Sequence, residues 1–178
     1  MEVLIVSLCK ERLHEREFVD PIVNIVKNNK DCLVTHYLDL EEELEIAEKV
    51  ILCGTSLKDF EYLENLDKFE WLKDFNKPVL GVCAGIQVFG LVFNQKIKSK
   101  TQIGLFKERL SKNFLGSKEE INVWHLHQSY MEFDAKWEII CEGNKIPQVV
   151  KHKTRPFYGC LFHPEVRNKE IIEGFLKL

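Results

Sequence analysis

The stretch Lys77-Pro-Val-Leu-Gly-Val-Cys-Ala-Gly-Ile-Gln87 leaves this chain few ways to fold. Residues 78–82 form an apolar run with the character of a short buried strand, and residues 84–93 read as a helix. Only Cys83 lies between them, so strand must become helix within one residue. Gly81 and Gly85 stand two residues to either side, and in so tight a turn a Cβ there would collide with the neighbouring strand or helix. The unpaired N–H groups and positive dipole end of a helix start favour a thiolate, and the Ala84 N–H is placed to point at an oxyanion. Cysteine is also among the most buried residue types, so the turn alone leaves Cys83 readable as a core thiol.

Upstream of the turn, apolar runs alternate with amphipathic stretches. Residues 2–8, 32–37 and 50–53 read as strands. Asp20-Pro21 opens a helix whose apolar face is Ile22, Val23, Ile25 and Val26. Residues 40–47 read as a short acidic helix, and residues 60–75 as a helix with apolar Phe60, Leu63, Leu66, Phe69 and Leu72. Such alternation indicates a parallel sheet covered on both faces. Beyond residue 93 the rhythm changes: residues 121–125, 137–141, 148–152 and 158–162 read as strands on short turns, added antiparallel to the same sheet. A helix over 169–178 closes the chain. The expected class is α/β, a three-layer sandwich with a mostly parallel central sheet and helices on both faces. No repeat or linker interrupts it, so residues 1–178 read as one domain.

A net charge of −3 argues against nucleic acid as a main partner, because phosphate binding needs a clustered basic excess. Lys96, Lys98 and Lys100 read as a solvated loop, with a docking patch as the alternative. No run approaches a membrane span and no signal-peptide pattern opens the chain, which predicts a cytoplasmic protein without membrane contact. The six cysteines form no CxxC pair and no short metal-ligand spacing. Cys9, Cys32, Cys53, Cys141 and Cys160 lie in or beside apolar segments and read as core thiols.

A cysteine nucleophile needs a base to hold and return its proton, and a group to orient that base. Phe157-Tyr-Gly-Cys-Leu-Phe-His-Pro-Glu165 supplies both at the end of an apolar strand. On an extended segment His163 and Glu165 project to the same side, and Pro164 stiffens the step between them. Active sites in open α/β sheets lie at the carboxyl ends of strands, where Cys83 and His163 both fall. Taken alone, His-Pro-Glu is equally a surface turn.

Together, Gly81-Val-Cys-Ala-Gly-Ile-Gln87 and Tyr158-Gly-Cys-Leu-Phe-His-Pro-Glu165 resemble the elbow and histidine motifs of class I, triad-type glutamine amidotransferases, G-[IV]-C-x-G-x-Q and Y-G-x-Q-F-H-P-E. The resemblance spans nearly the whole chain and implies a flavodoxin-like fold. It makes Cys83 the nucleophile, His163 the general base and acid, and Glu165 the orienting carboxylate. It further implies hydrolysis of the L-glutamine side-chain amide through a γ-glutamyl thioester, with ammonia passed to an ATP-dependent synthetase. The oxyanion donors would be Ala84 and either Gly54 or Thr55. Gln87, Ser129 and Tyr130 become candidates for holding the amino-acid end of the substrate; the alternative for Gln87 is an exposed helix residue. His125 and His127 alternate as metal ligands would, but no third ligand of matching placement appears, so a structural role is preferred and no metal or cofactor is expected.

The chain departs from the family at several places. Cys53-Gly-Thr-Ser-Leu57 stands where G-G-P-x-S is usual, Leu161 replaces a frequent glutamine, and Gln102-Ile-Gly104 lacks a glutamate that many members have. The S-H-G-D segment typical of GMP synthetase glutaminases is absent. With no P-loop in 178 residues, the synthetase would be a separate chain. Two other functions share this framework: a γ-glutamyl hydrolase-like cysteine peptidase, and a catalytically silent glutamine-binding regulator. The intact Cys83, His163 and Glu165 argue against silence.

Overall fold

The computed structural model describes residues 2–40 and 42–178. Its strands are β1 (Val3–Ser7), β2 (Cys32–His36), β3 (Lys49–Leu52), β4 (Val79–Val82), β5 (Lys96–Arg109), β6 (Glu120–Glu132), β7 (Trp137–Gly143), β8 (Ile146–His152) and β9 (Phe157–Cys160). The α-helices are α1 (Glu15–Phe18), α2 (Asp20–Lys27), α3 (Glu43–Ile46), α4 (Glu61–Glu64), α5 (Ala84–Val92), α6 (Pro164–Arg167) and α7 (Lys169–Leu176). Seven strands form one sheet in the order β2-β1-β3-β4-β9-β8-β7. The first five are mutually parallel, and β8 and β7 add to them antiparallel.

Period-two alternation divides the core between the two faces of this sheet. Val3, Ile5, Ile51, Leu80 and Val82 join Ile22 and Val26 of α2 and Ile171 and Phe175 of α7 in one apolar cluster. Leu4, Val6, Val50, Leu52 and Val79 join Ile86 and Phe89 of α5 with Phe69 and Leu72 in the other. The central strands β1 and β4 are buried on both faces, which is why their sequences read as unbroken apolar runs. Pro21 sits in the first turn of α2, where its missing N–H costs no helical bond. Among the described residues no helix is long and apolar enough to cross a membrane.

Four expectations are corrected. The single helix over 60–75 is instead α4 followed by a 3₁₀ segment, Leu66–Lys73. The apolar positions recur every third residue, a stripe that stays in line at three residues per turn and drifts at 3.6. Asn65 marks the break, at φ −122° and ψ 39°, and its side-chain amide donates back to the Glu61 carbonyl at 2.9 Å.

Lys96, Lys98 and Lys100 lie on a strand rather than a loop. β5 pairs antiparallel with β6, with a register break between Ser99 and Gln102. Residues 96–101 are solvated on both faces, so no alternation marks them as a strand. From Gln102 onward one face turns inward.

The strand at residues 121–125 is the longer β6, and with β5 it forms a separate two-stranded sheet instead of joining the main one. Cys32 is also only half-buried, because β2 is the edge of the main sheet; the other four cysteines read as core are buried.

Candidate active site

The chain ends of β1, β3, β4 and β9 converge on one edge of the sheet. β4 stops at Cys83, whose backbone takes φ 48° and ψ −101° before α5 begins. A non-glycine residue there is strained, and such strain persists only where the surroundings fix it. They do so by close approach: a Cβ on Gly81 would stand 2.7 Å from the Gly85 carbonyl carbon, and one on Gly85 2.5 Å from the Leu52 oxygen. The Cys83 thiol donates weakly to the Leu126 carbonyl of β6 at 3.6 Å.

β9 leads to His163, whose N–H donates to the Trp124 carbonyl at 2.9 Å and whose ring packs 5.5 Å from that of Phe18. His163 Nδ1 lies 2.7 Å from Glu165 Oε1, and both side chains are buried. The surface-turn alternative is thereby excluded. Glu165 does not lie on an extended segment as the sequence suggested: Pro164 starts α6, and Glu165 sits in its first turn. Proline favours that position, so the chain turns into helix one residue early and the carboxylate folds back onto the imidazole. His163 Nε2 has no hydrogen-bond partner among the described residues. Burial opposes a charge on His163, but the Glu165 carboxylate and then the Cys83 sulfur outweigh it and hold the pKa well above 6.5.

β3 leads to Gly54, which separates the two side chains. A Cβ there would stand 2.7 Å from His163 Cε1 and 3.4 Å from Cys83 Cβ, so no larger residue fits. The Gly54 carbonyl accepts a weak bond from the Cys9 thiol at 3.7 Å, on the β1 side. Thr55 is buried, and its hydroxyl donates to Asp59 Oδ2 at 2.6 Å.

A cavity of about 20 Å³ adjoins Cys83, walled by Thr55, Asp59, Tyr62, Ala84, Gln87 and Ser129 among others. Gln87 is buried rather than exposed: the Tyr62 hydroxyl donates to its Oε1 at 2.5 Å, and its Nε2 donates to the Ser129 carbonyl at 3.1 Å. Gln128 Nε2 donates to the Leu57 carbonyl and ties β6 to the loop after β3. Of the sequence candidates, Cys83, His163, Glu165, Ala84, Gly54, Thr55, Gln87 and Ser129 come together here. Tyr130 is not among the residues that line the cavity; its side chain packs against the apolar cluster that contains α5. Tyr62, Asp59 and Gln128 were missed by sequence, since their relevance comes from contacts across distant segments.

His125 and His127 face inward from β6. His125 Nε2 meets Glu108 Oε1 at 3.2 Å, and His127 Nε2 meets Gln102 Oε1 at 3.0 Å. Burial first, then the neighbouring His125 and His163, push the His127 pKa down to about 3. Both rings bond within the β5–β6 hairpin, and their partners Glu108 and Gln102 in turn accept from Cys141 of β7 and Gln148 of β8 in the main sheet. Burial raises the pKa of Cys9 to about 11 and of Cys141 to about 12, and lifts those of Cys53 and Cys160 well above 9. These four remain thiols at neutral pH.

A doubly covered α/β sheet with a cysteine at a strand-to-helix elbow, beside a histidine paired to a carboxylate, is the framework of a cysteine-dependent acyl-transfer enzyme. The family model for Glutamine amidotransferase class-I matches residues 14–177, and the chain belongs to that family. It is 28% identical over 162 residues to a glutamine-hydrolysing GMP synthase subunit of Methanosphaera stadtmanae, covering 85% of this chain and 86% of that protein. Its identity to the corresponding Pyrococcus furiosus protein is 29% over 136 residues, covering 70% and 71%. A solved structure described as a GMP synthase subunit from Thermoplasma acidophilum superposes with a TM-score of 0.86 over 99% of this chain and 92% of that one, at 23% identity.

Proposed function

We propose that this chain hydrolyses the side-chain amide of L-glutamine through a γ-glutamyl thioester on Cys83. The ammonia released passes to a separate ATP-dependent synthetase chain. The observation that carries this reading is the strained elbow of Cys83 beside a buried His163–Glu165 pair 2.7 Å apart. The Cys83 sulfur attacks the amide carbon with its proton already held on His163, whose pKa stands well above 6.5. The tetrahedral intermediate collapses as His163 returns that proton to the leaving nitrogen, which departs as ammonia. His163 then draws a proton from water, and the hydroxide releases glutamate and frees the sulfur. Glu165 holds the imidazole in the working tautomer and stabilises its cation.

Two backbone donors suit the oxyanion. Ala84 N–H opens α5 beside the sulfur. For the second, Thr55 is favoured over Gly54. In a trans peptide the N–H points opposite to the preceding carbonyl, and the Gly54 carbonyl is turned to Cys9 on the β1 side. The Thr55 N–H then faces the β4 side, where Cys83 lies. Gln87 and the Ser129 carbonyl border the same cavity and would meet the amino-acid end of the substrate.

The relatives named above are glutamine-hydrolysing subunits of GMP synthase, so the synthetase chain of that enzyme is the first partner to test. Residues 1–178 then act as one cytoplasmic glutaminase domain. The decisive assay measures glutamate released from glutamine by the chain and by Cys83→Ala, with and without that synthetase. Glutamate formation that depends on Cys83 and on the presence of the synthetase supports the reading. Cleavage of γ-glutamyl peptides with no response to a synthetase selects the peptidase alternative, and glutamine binding without turnover selects the silent regulator.

A further inference from the structure

Asp59 takes no part in the chemistry proposed above, yet its carboxylate is buried beside it. Asp59 Oδ2 accepts two hydrogen bonds of 2.6 Å, one from the Thr55 hydroxyl and one from the Lys10 N–H in the segment after β1. Oδ1 accepts from the Glu61 N–H at 3.4 Å, and the Asp59 N–H closes a turn onto the Ser56 carbonyl at 3.0 Å. Residues 54–59, Gly-Thr-Ser-Leu-Lys-Asp, contain no proline, so nothing covalent fixes the backbone of this segment. The peptide between Gly54 and Thr55 is instead held from two directions. Its carbonyl is turned to Cys9, and the side chain of its nitrogen-bearing residue is anchored to Asp59, which is itself fixed to the β1 segment.

We propose that Asp59 is a positioning residue for the oxyanion: by anchoring Thr55 it fixes the direction of the Thr55 N–H beside Cys83. The inference deepens the glutaminase reading and rests on it. A buried carboxylate suits the task, because charge-assisted bonds are shorter and about twice as strong as neutral ones, and the Thr55 hydroxyl that donates to it is buried. The donor it aims is needed only when negative charge develops on the substrate oxygen. Losing the anchor therefore lowers turnover more than substrate binding.

The test uses the full chain with its synthetase present, in four variants: Asp59→Ala, Thr55→Val, Thr55→Ser and the double Asp59→Ala/Thr55→Val. One missing oxyanion donor costs about 100- to 1,000-fold in kcat, so a misdirected one is expected to cost about 10- to 100-fold. Asp59→Ala and Thr55→Val should each show that fall with KM changed less than about threefold, and the double variant should be no worse than either single. Thr55→Ser keeps the hydroxyl and should restore near-normal turnover. Alkylation of Cys83 by iodoacetamide passes through no oxyanion, and its rate should stay within about twofold of the parent in every variant. Unchanged kcat, losses that multiply in the double variant, or alkylation falling in step with hydrolysis would each overturn the assignment; the last would mean that Asp59 merely holds the site together. Absence of glutamine hydrolysis in the unmodified chain is a different result, and it would reject the glutaminase reading itself.

Discussion

His163 and Glu165 meet at 2.7 Å although their backbones belong to different structures, one ending an extended segment and the other in the first turn of α6. The pair is buried, and Glu165 keeps its second oxygen without a partner among the described residues. The carboxylate is therefore committed to the imidazole.

Replacement of His163 by alanine should abolish glutamine turnover, since the histidine moves protons in both halves of the proposed reaction. Glu165→Gln should leave measurable activity, because it removes only orientation and charge. Glu165→Ala should also destabilise the fold by about 1–3 kcal/mol, as it leaves a buried imidazole nitrogen without its acceptor. Steady-state kinetics and denaturant melts check both. The cost in stability follows from the burial of both side chains.

Titration of His163 followed by NMR should give a pKa well above 6.5 in the parent chain. Removing the Glu165 charge should lower it, because burial then meets less opposition. The sign for stability follows from the raised folded value. The stabilisation from charged His163 is complete below the unfolded pKa of about 6.5 and fades as pH rises through the folded one. The stability gap between the parent and Glu165→Gln should accordingly be widest at or below pH ~6.5 and shrink in alkali. A gap that grows with pH would contradict the pairing.

A glutamine-analogue electrophile should label Cys83 alone among the six cysteines. Cys9, Cys53, Cys141 and Cys160 are buried thiols whose pKa values burial raises. Cys32 is half-buried on the edge strand, so a small alkylating reagent should reach it second. Peptide mapping of the labelled protein decides the order.

Glutamine hydrolysis by the isolated chain should be slow. The cavity of about 20 Å³ beside Cys83 has room for about one water, and Gln87 already spends both ends of its amide on Tyr62 and Ser129. Gln128, bonded to Leu57, holds the walls together. Gln128→Ala should therefore raise kcat/KM of the isolated chain and narrow the gain on adding the synthetase. Lower activity in Gln128→Ala, or full activity of the parent chain alone, would show that the walls are not what limits entry.

Phe89 of α5 stacks on Phe157 at 5.5 Å and on Trp137 at 5.9 Å, linking the elbow helix to both β9 and β7. Phe89→Ala should cost about 3–5 kcal/mol of stability. Calorimetry should show the loss, and Cys83 should become less selective toward glutamine analogues as the elbow loosens.

The sequence by itself determined the doubly covered parallel sheet, because β1 and β4 are buried on both faces and must be apolar throughout. It determined the elbow too, since only a sharp turn with small residues at 81 and 85 joins that strand to that helix. The pairing of His163 with Glu165 was legible from spacing, though the backbone that achieves it was not. What only the tertiary structure decided are features without a local periodic signal. Residues 96–101 are a strand through their partner alone, and solvation on both faces leaves their pattern blank. The Asp59–Lys10 and Gln128–Leu57 bonds join residues far apart in the chain, so nothing in either neighbourhood announces them. Tyr130 lines no part of the cavity at Cys83, while the backbone carbonyl of its neighbour Ser129 accepts from Gln87, a contact that the side-chain pattern of a strand does not reveal. Local patterns record which groups lose water; which distant groups then face one another depends on how the layers pack.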